Sequence, residues 1–172
     1  EGSSSNKALE IYNGTGAPVV LTDYKVELYS NGNTVPGNQL TLTGSLASGD
    51  VYVIANSAAN AAILAVADIT STVTYYDGDD ALLLRKISTN TIIDSIGQVG
   101  IDPGTKWGTE PVTTGEHTLT RKETICEGDS NGYDSFDPAL EWDGYAQDDF
   151  THIGSHVTNC LPPPEEAPEV LS

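Results

Sequence analysis

Short runs in which apolar and polar residues alternate recur along this chain, and they constrain its fold more than any other feature. A period of two places successive side chains on opposite faces of an extended segment, which is typical of a half-buried β-strand. Clusters such as Asn31-Gly32-Asn33 separate the runs and supply turns. No regular helices alternate with the runs, so the pattern predicts an antiparallel sandwich or barrel. Strands are predicted over residues 7–12, 24–30, 39–46, 50–55, 72–76, 81–86 and 91–97.

One segment interrupts the strands with helix-forming residues. Residues 57–64 are rich in alanine, and Ser57 stands where it could cap a helix. One short helix is therefore predicted to cross between strands. Near the end of the chain, prolines and glutamates give the composition of an extended linker. We expect a folded domain over residues 1–160 and a linker or tail over residues 161–172.

The two cysteines, Cys126 and Cys160, both lie in the last third of the chain. They flank an irregular segment and are much farther apart than the close pairs of metal and redox sites. We expect one disulfide, which pins this segment as a C-terminal loop and adds roughly 3–4 kcal/mol of stability. Such a bond persists in oxidising compartments and predicts a secreted or cell-surface protein. The alternative is two buried free thiols.

The charge balance limits the partners of the chain. Seven basic and 25 acidic residues give a formal net charge of −18. A surface with this charge repels phosphate backbones and anionic lipid headgroups, which argues against nucleic-acid binding through a basic patch. Its carboxylates suit hard divalent cations, of which calcium is the expected one. No apolar run approaches the roughly 20 residues of a membrane-spanning helix, so we expect no membrane insertion.

Residues 128–137 place three aspartates and one asparagine at short intervals in a glycine-containing segment. A loop of this kind can wrap a calcium ion. The spacing is not that of an EF-hand, because the glutamate at the twelfth position is missing. The alternative is that these side chains form turns with their own backbone. The candidate calcium ligands are Asp129, Asn131, Asp134 and Asp137.

A second acidic cluster lies between two predicted strands. Asp77, Asp79 and Asp80 surround Gly78 and are weaker calcium candidates. A hairpin turn rich in aspartate and glycine explains them without a ligand, and this interpretation is favoured. The pattern Gly-x-Ser-x-Gly occurs once, at residues 128–132, but it lies in an irregular segment instead of between a strand and a helix, so the sequence lends no support to hydrolysis.

Several segments together resemble one known family. They include Gly49-Asp50-Val51 with its following strand and Gly78-Asp79-Asp80 with the strand after it. In these segments the chain is similar to the lamin tail domain family, and in particular to its bacterial branch. The resemblance implies an immunoglobulin-like sandwich that covers most of the chain up to Cys160. The segments that carry it are residues 1–13, 49–55, 78–84, 93–100 and 143–148.

The resemblance also implies a function. Bacterial members of that family are typically secreted or surface proteins, often with a nuclease or phosphatase domain beside this one. A non-catalytic accessory domain is implied, which serves in attachment or substrate presentation and has the neighbouring catalytic or surface domain of the same polypeptide as its partner. The alternative is a calcium-stabilised structural or adhesion module of a surface or matrix protein. Because the chain opens at Glu1 without an initiator methionine or signal peptide, we expect a piece of a longer polypeptide.

Together these observations predict an all-β fold. We expect an immunoglobulin-like antiparallel β-sandwich of about seven to nine strands in Greek-key order, with one short helix and a disulfide-pinned C-terminal loop. The core is predicted from the inward positions of the alternating runs. It comprises Leu9, Ile11, Val26, Leu28, Leu42, Val51, Val53, Leu82, Leu84, Ile93 and Ile96.

Overall fold

The alternating runs form strands in the computed structural model of the protein, which describes residues 1–160. Two short α-helices, α1 (Ala61–Leu64) and α2 (Pro138–Glu141), and two 3₁₀ turns, Leu21–Asp23 and Thr72–Thr74, lie between them. The strands are β1 (Ala8–Tyr12), β2 (Val19–Val20), β3 (Tyr24–Tyr29), β4 (Asn38–Thr41), β5 (Ser45–Leu46), β6 (Val51–Ala55), β7 (Ile69–Thr70), β8 (Ala81–Lys86), β9 (Thr91–Ile96), β10 (Gly108–Thr109), β11 (Val112–Thr113), β12 (Thr118–Arg121) and β13 (Trp142–Tyr145).

Two sheets form the sandwich. One has three strands in the order β1-β6-β7, and the other has four in the order β4-β3-β8-β9. The four-stranded sheet is antiparallel throughout, with Val26 opposite Leu40 on one side and Leu84 on the other. β7 runs parallel to β6, because the chain between them passes through α1 instead of turning back as a hairpin. The predicted sandwich is confirmed, with this parallel pair as a departure from purely antiparallel pairing.

The main core lies between the two sheets and uses every second residue of their strands. Val26 and Leu28 of β3 are each 1 % exposed, and they share this core with Tyr52 and Ile54 of β6. Alternation along β6 places Val53 on the opposite face of the sheet, where it is 1 % exposed, so its prediction as a buried core residue is confirmed. The half-buried Val51 shares that outer face. The predicted residues found in or against the main core are Leu9, Ile11, Val26, Leu28, Leu42, Leu82, Leu84 and Ile96.

Ile93 was wrongly predicted as a core residue, because 36 % of its surface is exposed. The register between β8 and β9 shifts beside it. Leu84 lies opposite Asp94, whereas Arg85 lies opposite Ile92. Ile93 is therefore the extra residue of a β-bulge, which takes it out of the alternation.

Two predicted strands also differ from the structure. Residues 72–76 are not a strand, because the Ser71 hydroxyl accepts a hydrogen bond from the N–H of Val73 (3.2 Å) and caps a 3₁₀ turn there. Residues 39–46 do not form one strand but divide into β4 and β5. The break lies at Gly44, whose φ of +85° is a conformation that glycine adopts readily.

The helices differ from the prediction in their caps and number. α1 is capped by Asn60 rather than by Ser57, since the Asn60 side chain accepts a hydrogen bond from the N–H of Ala62 (2.9 Å). The sequence prediction missed α2. The sequence feature that indicates the start of α2 is Asp137-Pro138, a capping residue followed by a proline in the first turn of the helix.

The outer face of the four-stranded sheet carries a second, smaller core. Leu83 points away from the main core and is 0 % exposed. Trp107 and Phe136, from the chain beyond β9, pack there edge to face with ring centroids 5.9 Å apart. A Cβ built on Gly132 would clash with Leu83, so only glycine lets the disulfide-closed segment approach the sheet this closely.

The outer face of the three-stranded sheet is covered by the strap, which we define as residues 146–160. Phe150 and Ile153 of the strap pack against a cluster that contains Ala55 of β6. The strap ends at Cys160, which forms the predicted disulfide with Cys126. Residues 101–160, the C-terminal extension, therefore cover both outer faces of the sandwich.

The C-terminal extension also holds the first residues of the chain. Asp148 accepts hydrogen bonds from the backbone N–H of Ser3 (2.9 Å), from the Ser3 hydroxyl and from the Asn6 side chain (3.2 Å). Ser3 and Asn6 lie 145 and 142 positions from Asp148 in the sequence. The predicted linker, residues 161–172, lies outside the described residues. Among the residues that are described, no helix is long and apolar enough to cross a bilayer.

Candidate functional site

The disulfide-closed segment forms a surface cavity of about 170 Å³, which we call the acidic cavity. Three of the four predicted calcium ligands line it, whereas Asn131 does not. Glu141 of α2, which the sequence prediction missed, adds a fourth carboxylate. The complete lining is Asp129, Asp134, Ser135, Phe136, Asp137, Leu140 and Glu141.

Asp129 is held in place by hydrogen bonds to its own segment and to β9. Its carboxylate accepts hydrogen bonds from the Ser95 hydroxyl and from the N–H of Asn131, both at 2.9 Å. Its own N–H donates to Asp94 (2.8 Å). Because a carboxylate has about four lone-pair sites, each oxygen of Asp129 can still accept another bond.

The other two predicted aspartates differ in their contacts. Asp137 caps α2, since its carboxylate accepts a hydrogen bond from the N–H of Ala139 (3.0 Å). Asp134 lines the cavity, and its carboxylate forms no ion pair or hydrogen bond with any side chain of residues 1–160. Asp134 is therefore the most available ligand in the acidic cavity.

A preformed metal site is not found in the part of the chain that the structure describes. No group of three or more His, Cys, Asp or Glu side chains within residues 1–160 is arranged to hold a metal ion. Four carboxylates line the acidic cavity, but their oxygens do not converge on one point as the ligands of a bound metal ion do. Calcium binding there stays a prediction.

The second acidic cluster has the hydrogen bonds of a turn. Asp80 is 5 % exposed and accepts hydrogen bonds from the N–H groups of Asn31 (2.8 Å) and Asp77 (2.9 Å). Asp77 forms an ion pair with Lys7 at 2.6 Å. Burial raises the pKa of Asp79 above its ordinary value, and the charges of neighbouring aspartates act in the same direction. These contacts agree with the favoured interpretation of a turn.

Sequence reasoning missed Arg121, which joins the sheet to the acidic cavity. Its guanidinium contacts Asp94 of β9 and Glu141 of α2, each at 2.5 Å, and lies 4.4 Å from the centre of the Trp142 ring. Only 12 % of the side chain is exposed. Arginine suits this place because its planar group binds carboxylates and stacks on aromatic rings.

A buried carboxylate on the outer face of the four-stranded sheet was missed as well. Glu27 contacts Lys25 at 2.5 Å, Arg85 at 2.9 Å and the Tyr29 hydroxyl at 2.8 Å. Burial acts to raise the pKa of Glu27, but these hydrogen bonds outweigh it and hold the pKa below its ordinary value. Burial and the bond to Glu27 raise the pKa of Tyr29 to about 12. The network satisfies the charge of a side chain that is 3 % exposed.

Comparison with known sequences agrees with this geometry. The family model of the Lamin Tail Domain matches residues 1–100, which is more than half of the chain. The match includes both sheets of the sandwich, from β1 to β9, whereas the acidic cavity, the disulfide and the strap lie beyond it. No curated protein and no solved structure matches the chain. As its sequence resemblance predicted, the chain belongs to the lamin tail domain family of immunoglobulin-like domains.

Proposed function

We propose that this chain is a non-catalytic accessory domain of a secreted or cell-surface protein, joined to an extracellular nuclease or phosphatase domain. It holds that enzyme at a surface or presents its substrate. The family supports a binding or structural module. The observation that carries the proposal is the C-terminal extension, which covers both outer faces of the sandwich and is closed by the Cys126–Cys160 disulfide. A module closed in this way suits an oxidising compartment.

The charge of the domain favours attachment over direct capture of a phosphate substrate. A net charge of −18 repels nucleic-acid backbones and phosphate esters. The neighbouring catalytic domain, and not this acidic domain, therefore binds the phosphate substrate. This domain binds cationic groups on the cell or matrix surface.

Two activity measurements test this proposal. Purified residues 1–172 should not turn over double-stranded DNA or a phosphate monoester with magnesium, manganese or calcium present. In the natural polypeptide, deletion of residues 1–160 should leave kcat on a small soluble ester unchanged and lower the rate on substrate held at a surface. The difference is expected because attachment raises the local concentration of substrate without changing the chemical step.

The contradicting results are specific. Turnover by the isolated chain that is lost in Asp134→Ala would show that the domain is an enzyme. Equal rates on surface-held substrate with and without residues 1–160 would contradict the accessory role. Asp79→Asn, which changes the other acidic cluster, is the matched control for Asp134→Ala.

A second candidate function is a calcium-stabilised structural module of a surface or matrix protein. The acidic cavity supports it, because Asp129, Asp134, Asp137 and Glu141 line one small space. Carboxylate oxygens are the ligands that calcium prefers. An ion bound there would link α2 to the segment that lies on β9.

Thermal unfolding in calcium and in chelator tests this second function. Calcium at about one hundred times its dissociation constant should add roughly 2.7 kcal/mol. For a domain of this size, that stabilisation corresponds to a rise in Tm of about 5–10 °C. Asp134→Ala and Asp137→Ala should each lose the rise.

The calcium effect is compared within each variant, because Asp137→Ala also removes a helix cap. Asp79→Asn should keep the full rise in Tm. Identical melts of the unmodified chain in calcium and in chelator would contradict calcium binding. The acidic residues would then act only through turns and solvation.

A further inference from the structure

The strap is anchored at both ends. At its C-terminal end, Cys160 is bonded to Cys126, and the N–H of Asn159 donates to the carbonyl of Glu123 (2.8 Å). At its N-terminal end, the strap continues directly from β13, which pairs with β12. The Thr118 hydroxyl of β12 donates to the carbonyl of Asp149 (2.9 Å). The middle of the strap can therefore leave the sheet while both ends stay attached.

The middle of the strap contacts β1 through three kinds of interaction. Phe150 and Ile153 pack against the cluster of Ala55, Ala59 and Ile63, on which Ala8 of β1 also packs. The N–H of Gly154 donates to the Glu10 carboxylate (2.6 Å). The ring of His156 packs on the ring of Tyr12, with centroids 4.9 Å apart. His156 is the titratable side chain among these strap residues.

Charged groups surround the His156 ring at this contact. Arg121 of β12 and Glu123 lie close enough to act on its charge, in addition to the aromatic face of Tyr12 on β1. Burial lowers the pKa of His156 below its ordinary value, Glu123 acts to raise it, and Arg121 acts to lower it. The closed strap therefore favours the neutral ring.

We infer that the strap is a proton-sensitive switch, in which protonation of His156 releases residues 150–157 from β1 and uncovers the apolar outer face of the three-stranded sheet. The disulfide keeps the released segment tethered. A charge placed on this ring lies in the partly desolvated contact with Tyr12 and is repelled by the positive charge of Arg121. The face that is uncovered contains Ala8 and Ala55.

The direction of the pH dependence follows from linkage. A histidine whose pKa is lower in the closed state binds its proton more tightly in the open state. The closed strap therefore has its full stability above the ordinary histidine pKa of about 6.5 and loses stability as the pH falls below it. Burial raises the pKa of Glu10, so its protonation acts in the opposite direction.

Hydrogen exchange of the complete chain at about pH 7.5 and pH 5.5 tests the switch, since these values lie on either side of the ordinary histidine pKa. Protection factors of amides in residues 150–157 and β1 should fall at the lower pH. Because pH 5.5 lies about one unit below the ordinary histidine pKa, the fall should not exceed about tenfold, however far the closed strap lowers the pKa. Amides of β3 and β8 should keep their protection.

Three variants make the test specific. His156→Phe keeps an aromatic ring on Tyr12 and should remove the pH dependence, whereas His156→Lys should give low protection at both pH values. His152→Gln is the matched control, because His152 lies in the same strap but packs on Tyr145. The His152→Gln variant should keep the pH dependence of amide protection. Unchanged protection in the unmodified chain, or a response that persists in His156→Phe, would overturn the inference.

Discussion

Leu83→Ala is expected to lower the free energy of unfolding by about 3–5 kcal/mol, which is a large effect for one substitution. Leu83 is 0 % exposed, although it lies on the face of β8 that points away from the main core. Trp107, Phe136 and Gly132 leave no room for solvent around it. Truncation to alanine would leave a cavity that these rings cannot fill. Urea or guanidinium denaturation of the two proteins measures the difference.

Ile93→Ala is the matched control, because Ile93 lies on the neighbouring strand of the same sheet and is 36 % exposed. Ile93→Ala should lower the free energy of unfolding by about 1 kcal/mol or less, as other substitutions near the surface do. Equal costs for Leu83→Ala and Ile93→Ala would contradict the packing of the C-terminal extension on this sheet.

Removal of the disulfide should have an effect of similar size. The double substitution Cys126→Ala and Cys160→Ala should lower the free energy of unfolding by roughly 3–4 kcal/mol, because the unfolded chain then regains the entropy of an open loop. The bond joins residues 34 positions apart. Denaturant unfolding of the oxidised protein and the double variant measures the change.

Reduced and alkylated protein provides an independent comparison with that double variant. Its stability should fall by a similar amount, and the amides of the strap should lose more protection than those of β3 and β8. The hydrogen bonds from Thr158 and Asn159 to Glu123 do not use the sulfur atoms. An unchanged stability would show that these bonds alone are sufficient to hold the strap.

The main sandwich was predictable because a period of two reports directly which side of a strand is buried. β8 was predicted with its observed bounds, and β3 differs by one residue. Val26 and Leu28 were correctly predicted as core residues from alternation alone. Where a local feature changes the register, as at Ile93, the same reasoning gave the wrong face.

The second, smaller core on the outer face of the four-stranded sheet was not predictable in the same way, because it depends on contacts between segments that are distant in the sequence. Alternation along β8 predicts that Leu83 faces outward. It is buried because Trp107 and Phe136 belong to a segment without strand periodicity that folds back over the sheet. The alternation within one strand does not indicate whether a distant segment packs on its outer face.

The candidate site was predictable in part. Asp129, Asp134 and Asp137 are closely spaced in the disulfide loop and line one cavity, whereas calcium binding there stays a prediction. Glu141 joins them because α2 packs beside that loop and Arg121 holds its carboxylate. The sequence distance between Arg121 and Glu141 gave no indication of this contact.

The hydrogen bonds of Asp148 determine the order in which this protein can complete its structure during synthesis. Ser3 and Asn6 are made before Asp148, which follows them by 145 and 142 residues. The sheets can pair once β9 has been made, whereas the turn that contains Ser3 and Asn6 has to wait until Asp148 has been made. Contacts of such long sequence separation slow folding, because a large loop has to close before they form. Ser3 and Asn6 are therefore among the last residues of this domain to reach their final positions.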